Sequence, residues 1–171
     1  MRRAALLVPV LLLAVPPLAA QEAARDAAQE TEWSADEQAV VEWLTTFNEE
    51  AYAYGAGEFL SWMHPEFTSW NYAEKRPVEM ESFATSATEF FESDASIRLG
   101  TRPMSVQVVG DVSIAHTWYR EAITGGEGEG SYFGRWTIVL KKLDGDWKHL
   151  AWTWTQEKVD PEKVKKEKAD G

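Results

Sequence analysis

The sequence contains no cysteine among its 171 residues. This absence excludes disulfide bonds, a thiol nucleophile, a thiolate metal site and a lipidated N-terminal cysteine. The folded chain therefore depends on a hydrophobic core, and a chain of about 150 residues is long enough to form one.

Positive charge is also scarce, with 17 lysines and arginines against 28 acidic residues and a formal net charge of -11. Arg2 and Arg3 are the only charged residues within residues 1–20, so the remainder has 15 basic and 28 acidic residues, a net charge of -13. Such a charge repels phosphate backbones and anionic lipid. The sequence therefore predicts no nucleic-acid partner, and no membrane partner once residues 1–20 are removed.

The N-terminal apolar stretch is too short for a membrane span. Residues 4–20 carry no charge, but Pro9, Pro16 and Pro17 interrupt them, and they fall short of the ~20 apolar residues that a span needs. A basic start, an apolar stretch and small residues at its end are typical of a secretory signal peptide. We predict a signal peptide over residues 1–20, cleaved after Ala20, and a secreted or periplasmic protein. A retained anchor is the alternative.

Two amphipathic helices are predicted near the start of the domain. Residues 21–33 have no apolar period, which indicates a flexible leader. Ser34 and Glu37 have the spacing of a capping box that opens a helix. The apolar positions of the first helix are Val40, Leu44, Phe47, Ala51 and Tyr54. Those of the second, after Pro77, are Met80, Phe83, Ala87 and Phe90.

The rest of the chain is strand-like. The segments are 67–72, 97–102, 104–109, 112–123, 131–143 and 147–156, with Gly-containing hairpin turns between the later ones. Helices followed by antiparallel strands predict one α+β domain over residues 34–156, and residues 157–171 form a charged tail. The last two strands are apolar on both faces, and the predicted outer face carries Val139, Leu150, Trp152 and Trp154. This outer face needs a partner such as another subunit.

Residues 35–156 resemble the SnoaL-like branch of the nuclear transport factor 2-like superfamily. The resemblance rests on the long first helix, the His64-Pro65-Glu66-Phe67 step, the helix after Pro77, and the ending Gly134-Arg135-Trp136-Thr137…Asp144-Gly145-Asp146-Trp147-Lys148. It implies a cone-shaped roll in which a strongly bent, mainly antiparallel sheet wraps around the N-terminal helices. It also implies one pocket inside the cone and a homodimer formed through the sheet.

The final hairpin predicts which side chains share a face. Centred on Asp144-Gly145, it pairs Lys142 with Trp147, Leu140 with His149, Ile138 with Ala151 and Trp136 with Thr153. The resemblance assigns this face to the pocket, together with His116, Trp118 and Arg120, and places Trp70 or Asn71 at the rim. The predicted ligand-binding set is Trp70, Asn71, His116, Trp118, Arg120, Trp136 and Thr153.

The catalytic set of ketosteroid-isomerase-like relatives is missing. Those enzymes use a helix tyrosine, a carboxylate at the end of the first strand and a protonated carboxylic acid in the pocket. The alignment places Phe47, Asn71 and Ile138 there, and Ala151 and Thr153 where many relatives have histidines. None of these side chains is a base at neutral pH.

His116 is the candidate base that remains, if it faces inward; the alternative is a core histidine with a backbone or tyrosine partner. Arg120 and Arg135 could hold a ligand carboxylate or pair with local acids. His64 is expected to be a local cap and His149 to be exposed near the turn. Three separated histidines predict no metal site, and no cofactor is expected.

Three functions remain open from sequence. The favoured one is a pocket protein that binds a small apolar or aromatic ligand. The alternatives are a lyase or isomerase with His116 as base, and a dimeric interaction module with a filled cone. The nine tryptophans could also form a carbohydrate platform, or could belong to the core.

Overall fold

The structure, a computed structural model, describes residues 32–126 and 128–159. Its helices are α1 (Ala35–Glu50), α2 (Ala56–Ser61) and α3 (Met80–Glu92). Its strands are β1 (Met63–Asn71), β2 (Val78–Glu79), β3 (Ser96–Val109), β4 (Val112–Thr124), β5 (Gly130–Leu143) and β6 (Asp146–Lys158). The predicted signal peptide, most of the leader and most of the charged tail lie outside the described residues.

Helix α1 begins at the predicted capping box. The Ser34 hydroxyl accepts a hydrogen bond from the Glu37 amide, and the Glu37 carboxylate accepts one from the Ser34 amide at 2.9 Å. Reciprocal capping satisfies two amide groups that the helix leaves free at its start. The apolar face of α1 buries Val40, Leu44 and Phe47 against the sheet. Trp33, which the sequence assigns to the leader, also packs against this core.

The six strands form one mixed sheet in the order β2-β1-β6-β5-β4-β3. Only the β1–β6 pairing is parallel, and all other pairs are antiparallel. All three helices contribute to a core built against one face, the inner face. The curved sheet and its helices form the predicted α+β cone-shaped roll, so the predicted fold class is confirmed.

The β5–β6 hairpin departs from the predicted register at one residue. Lys142 pairs with Trp147 and Leu140 with His149, as expected, but Val139 pairs with Ala151. Leu150 is therefore an extra residue on β6, which makes a β-bulge. Beyond it, Ile138 pairs with Trp152 and Trp136 with Trp154, so the predicted pairs with Ala151 and Thr153 are wrong. One inserted residue reverses the face of every later side chain.

The bulge decides which aromatic residues enter the core. Trp152, expected on the outer face, is 7% exposed and stacks on Trp136 with ring centroids 5.7 Å apart. His149, expected to be exposed, is fully buried. Thr153 points outward instead of into the pocket. Strand β6 also continues two residues past the predicted end at Gln156.

No helix among the described residues is both long enough and apolar enough to cross a membrane.

Candidate functional site

The face of β4 that points into the cone is the opposite of the predicted one. Its buried residues are Ser113, Ala115, Thr117 and Tyr119, whereas His116, Trp118 and Arg120 between them are exposed. The predicted inward orientation of His116, Trp118 and Arg120 is therefore wrong. Both faces of β4 carry apolar residues, so alternation alone fits either orientation. The small inner residues leave room for the helices packed against them.

His116 lies on the outer face of the sheet. Its Nδ1 is 3.0 Å from the hydroxyl of Thr137, its partner on β5, at an exposed position. The sheet itself separates this imidazole from the cone. His116 therefore cannot act as a base on a substrate inside the cone, which removes the predicted catalytic role.

The cone holds a cavity of about 350 Å³ between the helices and the inner face. Its aromatic wall comes from Tyr52 just after α1, from α2 and α3, and from β4, β5 and β6. The aromatic lining residues are Tyr52, Phe59, Phe83, Phe90, Phe91, Tyr119, Trp136, Trp152 and Trp154. Asn71, Ser86, Glu121 and Gln156 supply its polar groups. We call this space the cone cavity; its volume lies within the range of small-ligand sites, about 300–1,000 Å³.

Glu121 is the one acidic side chain among the described residues that line the cone cavity. Burial raises the pKa of its carboxyl group, and a hydrogen bond that the Gln156 side-chain amide donates to Glu121 Oε1 opposes the shift. Desolvation penalises the ionised carboxylate. The cavity therefore contains a carboxyl group that takes up a proton more readily than an exposed glutamate does.

Two tyrosines lie close enough to Glu121 for its charge to act on them. Burial, and after it the Glu121 carboxylate, raises the pKa of Tyr52 and of Tyr119. Both phenols therefore stay protonated at neutral pH and remain hydrogen-bond donors. The Tyr119 hydroxyl donates to the Thr155 carbonyl oxygen at 3.0 Å. Gly134 makes this contact possible, since a Cβ there would lie 1.8 Å from that oxygen.

The residues that stand where isomerase-like relatives have catalytic groups have structural roles in this protein. Phe47 and Ile138 are fully buried within the core. The Asn71 side-chain oxygen accepts a hydrogen bond from the Ala73 amide at 2.8 Å, which closes the turn after β1. Asn71 does reach the rim of the cone cavity. Glu121 is the polar group that the cone offers instead.

The predicted ligand-binding residues lie together, but mostly on the outer face. A groove of about 710 Å³ there is lined by six of the seven predicted residues: Trp70, Asn71, His116, Trp118, Trp136 and Thr153. Asn71 and Trp136 line the cone cavity as well. Arg120 lies in a neighbouring hollow of about 620 Å³. We call the larger space the outer groove.

Sequence reasoning missed Tyr52, Tyr119, Glu121 and Gln156 as pocket residues. Glu121 and Tyr119 follow from the same β4 pattern when its inner face is shifted by one residue. The small residues at 113, 115 and 117 are the signal for that shift, because large side chains there would collide with the helices. Gln156 depends on the Leu150 bulge, which leaves no clear mark in the sequence.

His149 is a second titratable group within the core. Its imidazole is enclosed by Phe47, Trp43 and Trp152, with ring centroids 4.6, 4.8 and 4.9 Å away. Neither ring nitrogen has a hydrogen-bond partner among the described residues. Burial lowers the pKa of His149 to about 3, so the ring is neutral across the physiological range.

No group of three potential metal-ligating side chains occurs within the described ranges 32–126 and 128–159.

The architecture defines a class: a bent sheet that wraps helices around one cavity is the nuclear transport factor 2-like fold. A conserved protein from Planctomyces limnophilus superposes with a TM-score of 0.64 at 14% identity, over 73% of this chain and 98% of its own. A nuclear transport factor 2-like protein from Cytophaga hutchinsonii gives 0.58 at 13% identity, over 70% of this chain and 97% of its own.

A ketosteroid isomerase-like protein from Erwinia carotovora atroseptica superposes with a TM-score of 0.50 at 15% identity, over 73% of this chain and 94% of its own. No protein-family model and no curated protein matches the sequence. At these identities the similarity establishes the fold alone. The predicted resemblance is therefore confirmed at the level of the fold.

Proposed function

We propose that the protein binds a small, largely apolar or aromatic ligand in the cone cavity, with Glu121 contacting a polar group of that ligand. The observation that carries the proposal is a half-buried carboxyl group of raised pKa in an aromatic wall. A few placed polar groups in an otherwise apolar pocket are typical of small-molecule sites.

The polar groups of the cavity favour a ligand with a hydrogen-bonding group rather than a pure hydrocarbon. Glu121 accepts from Gln156 through Oε1, which leaves its second oxygen for the ligand. Protonated, that carboxyl group also donates a hydrogen bond. A ligand hydroxyl or phenol can donate to the carboxylate or accept from the carboxylic acid, and a ligand carbonyl can accept from the carboxylic acid. The aromatic rings of α3 and β6 then enclose its apolar part.

The test uses a matched pair of substitutions on α3. Ser86 lines the cavity and is exposed, whereas Thr85, also exposed, does not line it. With 2-naphthol as the probe and tryptophan fluorescence as the readout, Ser86→Trp should weaken binding at least tenfold, about 1.4 kcal/mol. Thr85→Trp should bind as the wild type does. Equal affinity of both variants, or no naphthol binding by the wild type, would contradict the proposal.

Proton transfer within the cone is the second candidate function, because a carboxyl group of raised pKa exchanges its proton closer to neutral pH than an exposed glutamate does. Glu121 then takes the role that the sequence assigned to His116. Glu121→Gln keeps the size and the hydrogen bond to Gln156 but removes the transferable proton. A binder retains its ligand in this variant, whereas a catalyst keeps binding and loses turnover by roughly 10²–10⁴.

Export remains a proposal from the sequence, because residues 1–20 lie outside the described residues. We expect a protein expressed with these residues in a bacterial host to appear outside the cytoplasm without them. Mass spectrometry of the intact protein gives the cleavage site directly. A full-length protein retained in the cytoplasm would contradict export.

A homodimer through the sheet also remains a proposal, but fewer residues now support it. Trp152 and Trp154 face the cone, which leaves Val139 and Leu150 from the predicted outer patch. Light scattering of the wild type and of a Val139→Asp, Leu150→Asp double variant tests it. A dimer that becomes a monomer in the variant supports the proposal, and a monomeric wild type contradicts it.

A further inference from the structure

Charge is divided between the three helices and the strands β3, β4 and β5. Helices α1, α2 and α3 carry nine acidic residues and no lysine or arginine. Strands β3, β4 and β5 carry six basic residues and one acidic residue, Glu121, whose side chain faces the cone. In a chain of net charge -11, the outer face of these three strands is therefore a basic surface.

Four arginines account for most of this surface. Arg98 and Arg102 on β3, Arg120 on β4 and Arg135 on β5 are all exposed. Arg102 pairs across the ladder with Trp118, and Trp118 pairs with Arg135. The Arg135 guanidinium carbon lies 5.6 Å from the centre of the Trp118 ring, within cation–π range. The Trp118 indole thus contacts the guanidinium group of Arg135 and has a second arginine as its strand partner on β3.

Gly100 opens a hollow within the arginine cluster. It lies between Arg98 and Arg102 on the outer face of β3 and pairs directly with Arg120. A Cβ at Gly100 would meet nothing within 4 Å, and the hollow there measures about 620 Å³. We call it the arginine hollow. Arg98 and Arg120 are the two arginines that line it, and a guanidinium group matches the planar geometry of a carboxylate, which it binds in a bidentate manner.

The arginine hollow continues into the outer groove. Trp118 is two residues from Arg120 on the same face of β4, so the two sites adjoin. The floor of the groove carries the hydroxyls of Thr137, Thr153 and Thr155. Trp70 forms its far wall, three strands from β4, which is a distance of about 14 Å.

Apolar exposure is concentrated in this groove. Trp118 is 44% exposed, Trp70 46%, Met104 43% and Tyr72 73%, and all four line it. Exposed aromatic surface gathered in one place usually marks a binding site. The groove therefore combines flat indole faces, hydroxyl groups and, at one end, guanidinium groups.

We propose that the outer face binds an acidic oligosaccharide, with a sugar carboxylate in the arginine hollow and sugar rings against the indoles of Trp118 and Trp70. Sugar rings present C–H groups that pack on aromatic faces, and their hydroxyls bond to threonine hydroxyls. The carboxylate complements the basic surface formed by the four arginines. The site lies on the opposite face of the sheet from the cone cavity. The two spaces share Asn71, Trp136 and Trp154 in their linings, and the variants below change none of these shared residues, so the test is independent of the proposed function.

A saccharide fits this surface better than a peptide or a nucleic acid. The backbone groups of β4 and β5 are paired on both sides, so a peptide cannot add as a strand there. A long nucleic acid would meet the repulsion of a chain with net charge -11 beyond the basic surface. A short acidic saccharide spans the hollow and the groove without leaving them.

The experiment titrates the full chain, after removal of its signal peptide if that is cleaved, with tetragalacturonate by calorimetry at low ionic strength. Cellotetraose, a neutral chain of the same length, is the control ligand. Gly100→Leu fills the arginine hollow without changing any charge, and Arg120→Gln and Trp118→Ala each remove one contact. Arg76→Gln removes an equal charge from the exposed turn before β2 and is the control variant.

We expect tetragalacturonate to bind more tightly than cellotetraose, with affinity that falls as salt is added. Gly100→Leu, Arg120→Gln and Trp118→Ala should each weaken binding at least tenfold, and Arg76→Gln less than twofold. Thermal melts show that each variant is folded. No binding, equal affinity for cellotetraose, or equal loss in Arg76→Gln would overturn the proposal. So would tighter binding of oligodeoxyadenylate, or a dimer that buries Trp118 and excludes the saccharide.

Discussion

The inner and outer faces of the same sheet are built for different environments. Glu121 and Arg120 are neighbours in the chain, yet one contributes a carboxyl group to an aromatic cavity and the other a guanidinium group to a basic surface. Tryptophan is used on both sides, buried at Trp152 and exposed at Trp118. Residue type alone therefore does not reveal a residue's function in this domain. The face of the sheet on which the residue lies reveals it.

The cost of burying charge explains the difference. Ionised groups are expensive to move from water into a poorly polarisable core. The inner face accordingly holds His149 in its neutral form and raises the pKa of Glu121. The outer face keeps its arginines solvated and free of this cost. Four predictions test this contrast.

The largest expected effect is the difference between two tryptophan substitutions. Trp152→Ala should lower the free energy of unfolding by about 3–5 kcal/mol, because it leaves a cavity beneath Phe67, Phe83 and Trp136. Trp118→Ala on the outer face should cost about 1 kcal/mol or less. Urea unfolding of both variants measures the difference. Similar losses would show that the outer face is also part of the stabilising core.

The next effect is a loss of stability in acid caused by His149. Its pKa is about 3 in the folded protein against 6.5 for an exposed histidine, so below pH 6.5 the unfolded chain binds a proton that the folded chain does not. The contribution of neutral His149 to the free energy of unfolding is complete above pH 6.5. It falls by up to about 1.4 kcal/mol per pH unit as the pH decreases towards 3.

The measurement compares the wild type with His149→Leu, which cannot titrate. Between pH 6.5 and 4.5 the wild type should lose about 2–3 kcal/mol more than the variant. Carboxylates titrate in both proteins and cancel in this difference. Parallel stability curves for the two proteins would mean that His149 is hydrated or paired when folded.

Two glycines provide a smaller and more local test of the same contrast. An added Cβ at Gly134 would lie 1.8 Å from the Thr155 carbonyl oxygen, whereas one at Gly100 would meet nothing within 4 Å. Gly134→Ala should therefore lower the free energy of unfolding by about 1–3 kcal/mol. Gly100→Ala should be neutral or stabilise by up to about 1 kcal/mol, because glycine weakens a strand. Thermal melts give both values, and a reversed order would contradict the assignment of the two faces.

The smallest effect concerns Glu121. Its pKa is raised in the folded state, so ionisation disfavours folding above that pKa, and folding is favoured as the pH falls through it. Glu121→Gln should therefore raise the free energy of unfolding slightly at pH 7, by less than about 1 kcal/mol because solvent screens part of the charge, and thermal melts should show a slightly higher melting temperature. Glu129→Gln, at an exposed site, is the control. A lower melting temperature for Glu121→Gln would mean that the ionised form is stabilised.

Much of the fold followed from local patterns. Ser34 and Glu37 marked the start of α1, and Asp144-Gly145 the turn of the last hairpin, because both depend on neighbouring residues and backbone geometry alone. The turn begins with Asp144 at φ 55° and Gly145 at φ 97°, conformations that these residues adopt most easily. The apolar spacing of α1 then identified the face that meets the sheet.

The candidate site was predicted less well, because the orientation of two strands was wrong. On β4 the inner and outer patterns both contain apolar residues, so the choice of face had no local signal apart from the small residues at 113, 115 and 117. On β6 the bulge at Leu150 moved Trp152 inward and Thr153 outward. His116 was therefore assigned to the cone, and Glu121 was overlooked.

Local pattern and composition are enough to predict the two long helices, most of the strands and their order, the absence of disulfides and the excess of acidic charge. The face of β4 and of β6 that meets the helices depends on tertiary packing. A strand places alternate side chains on opposite faces, so a shift of one residue exchanges a dry pocket for a solvated surface. Packing of whole rings against the helices selects between the two, and that selection made Glu121 part of the cone and the four arginines part of the outer face.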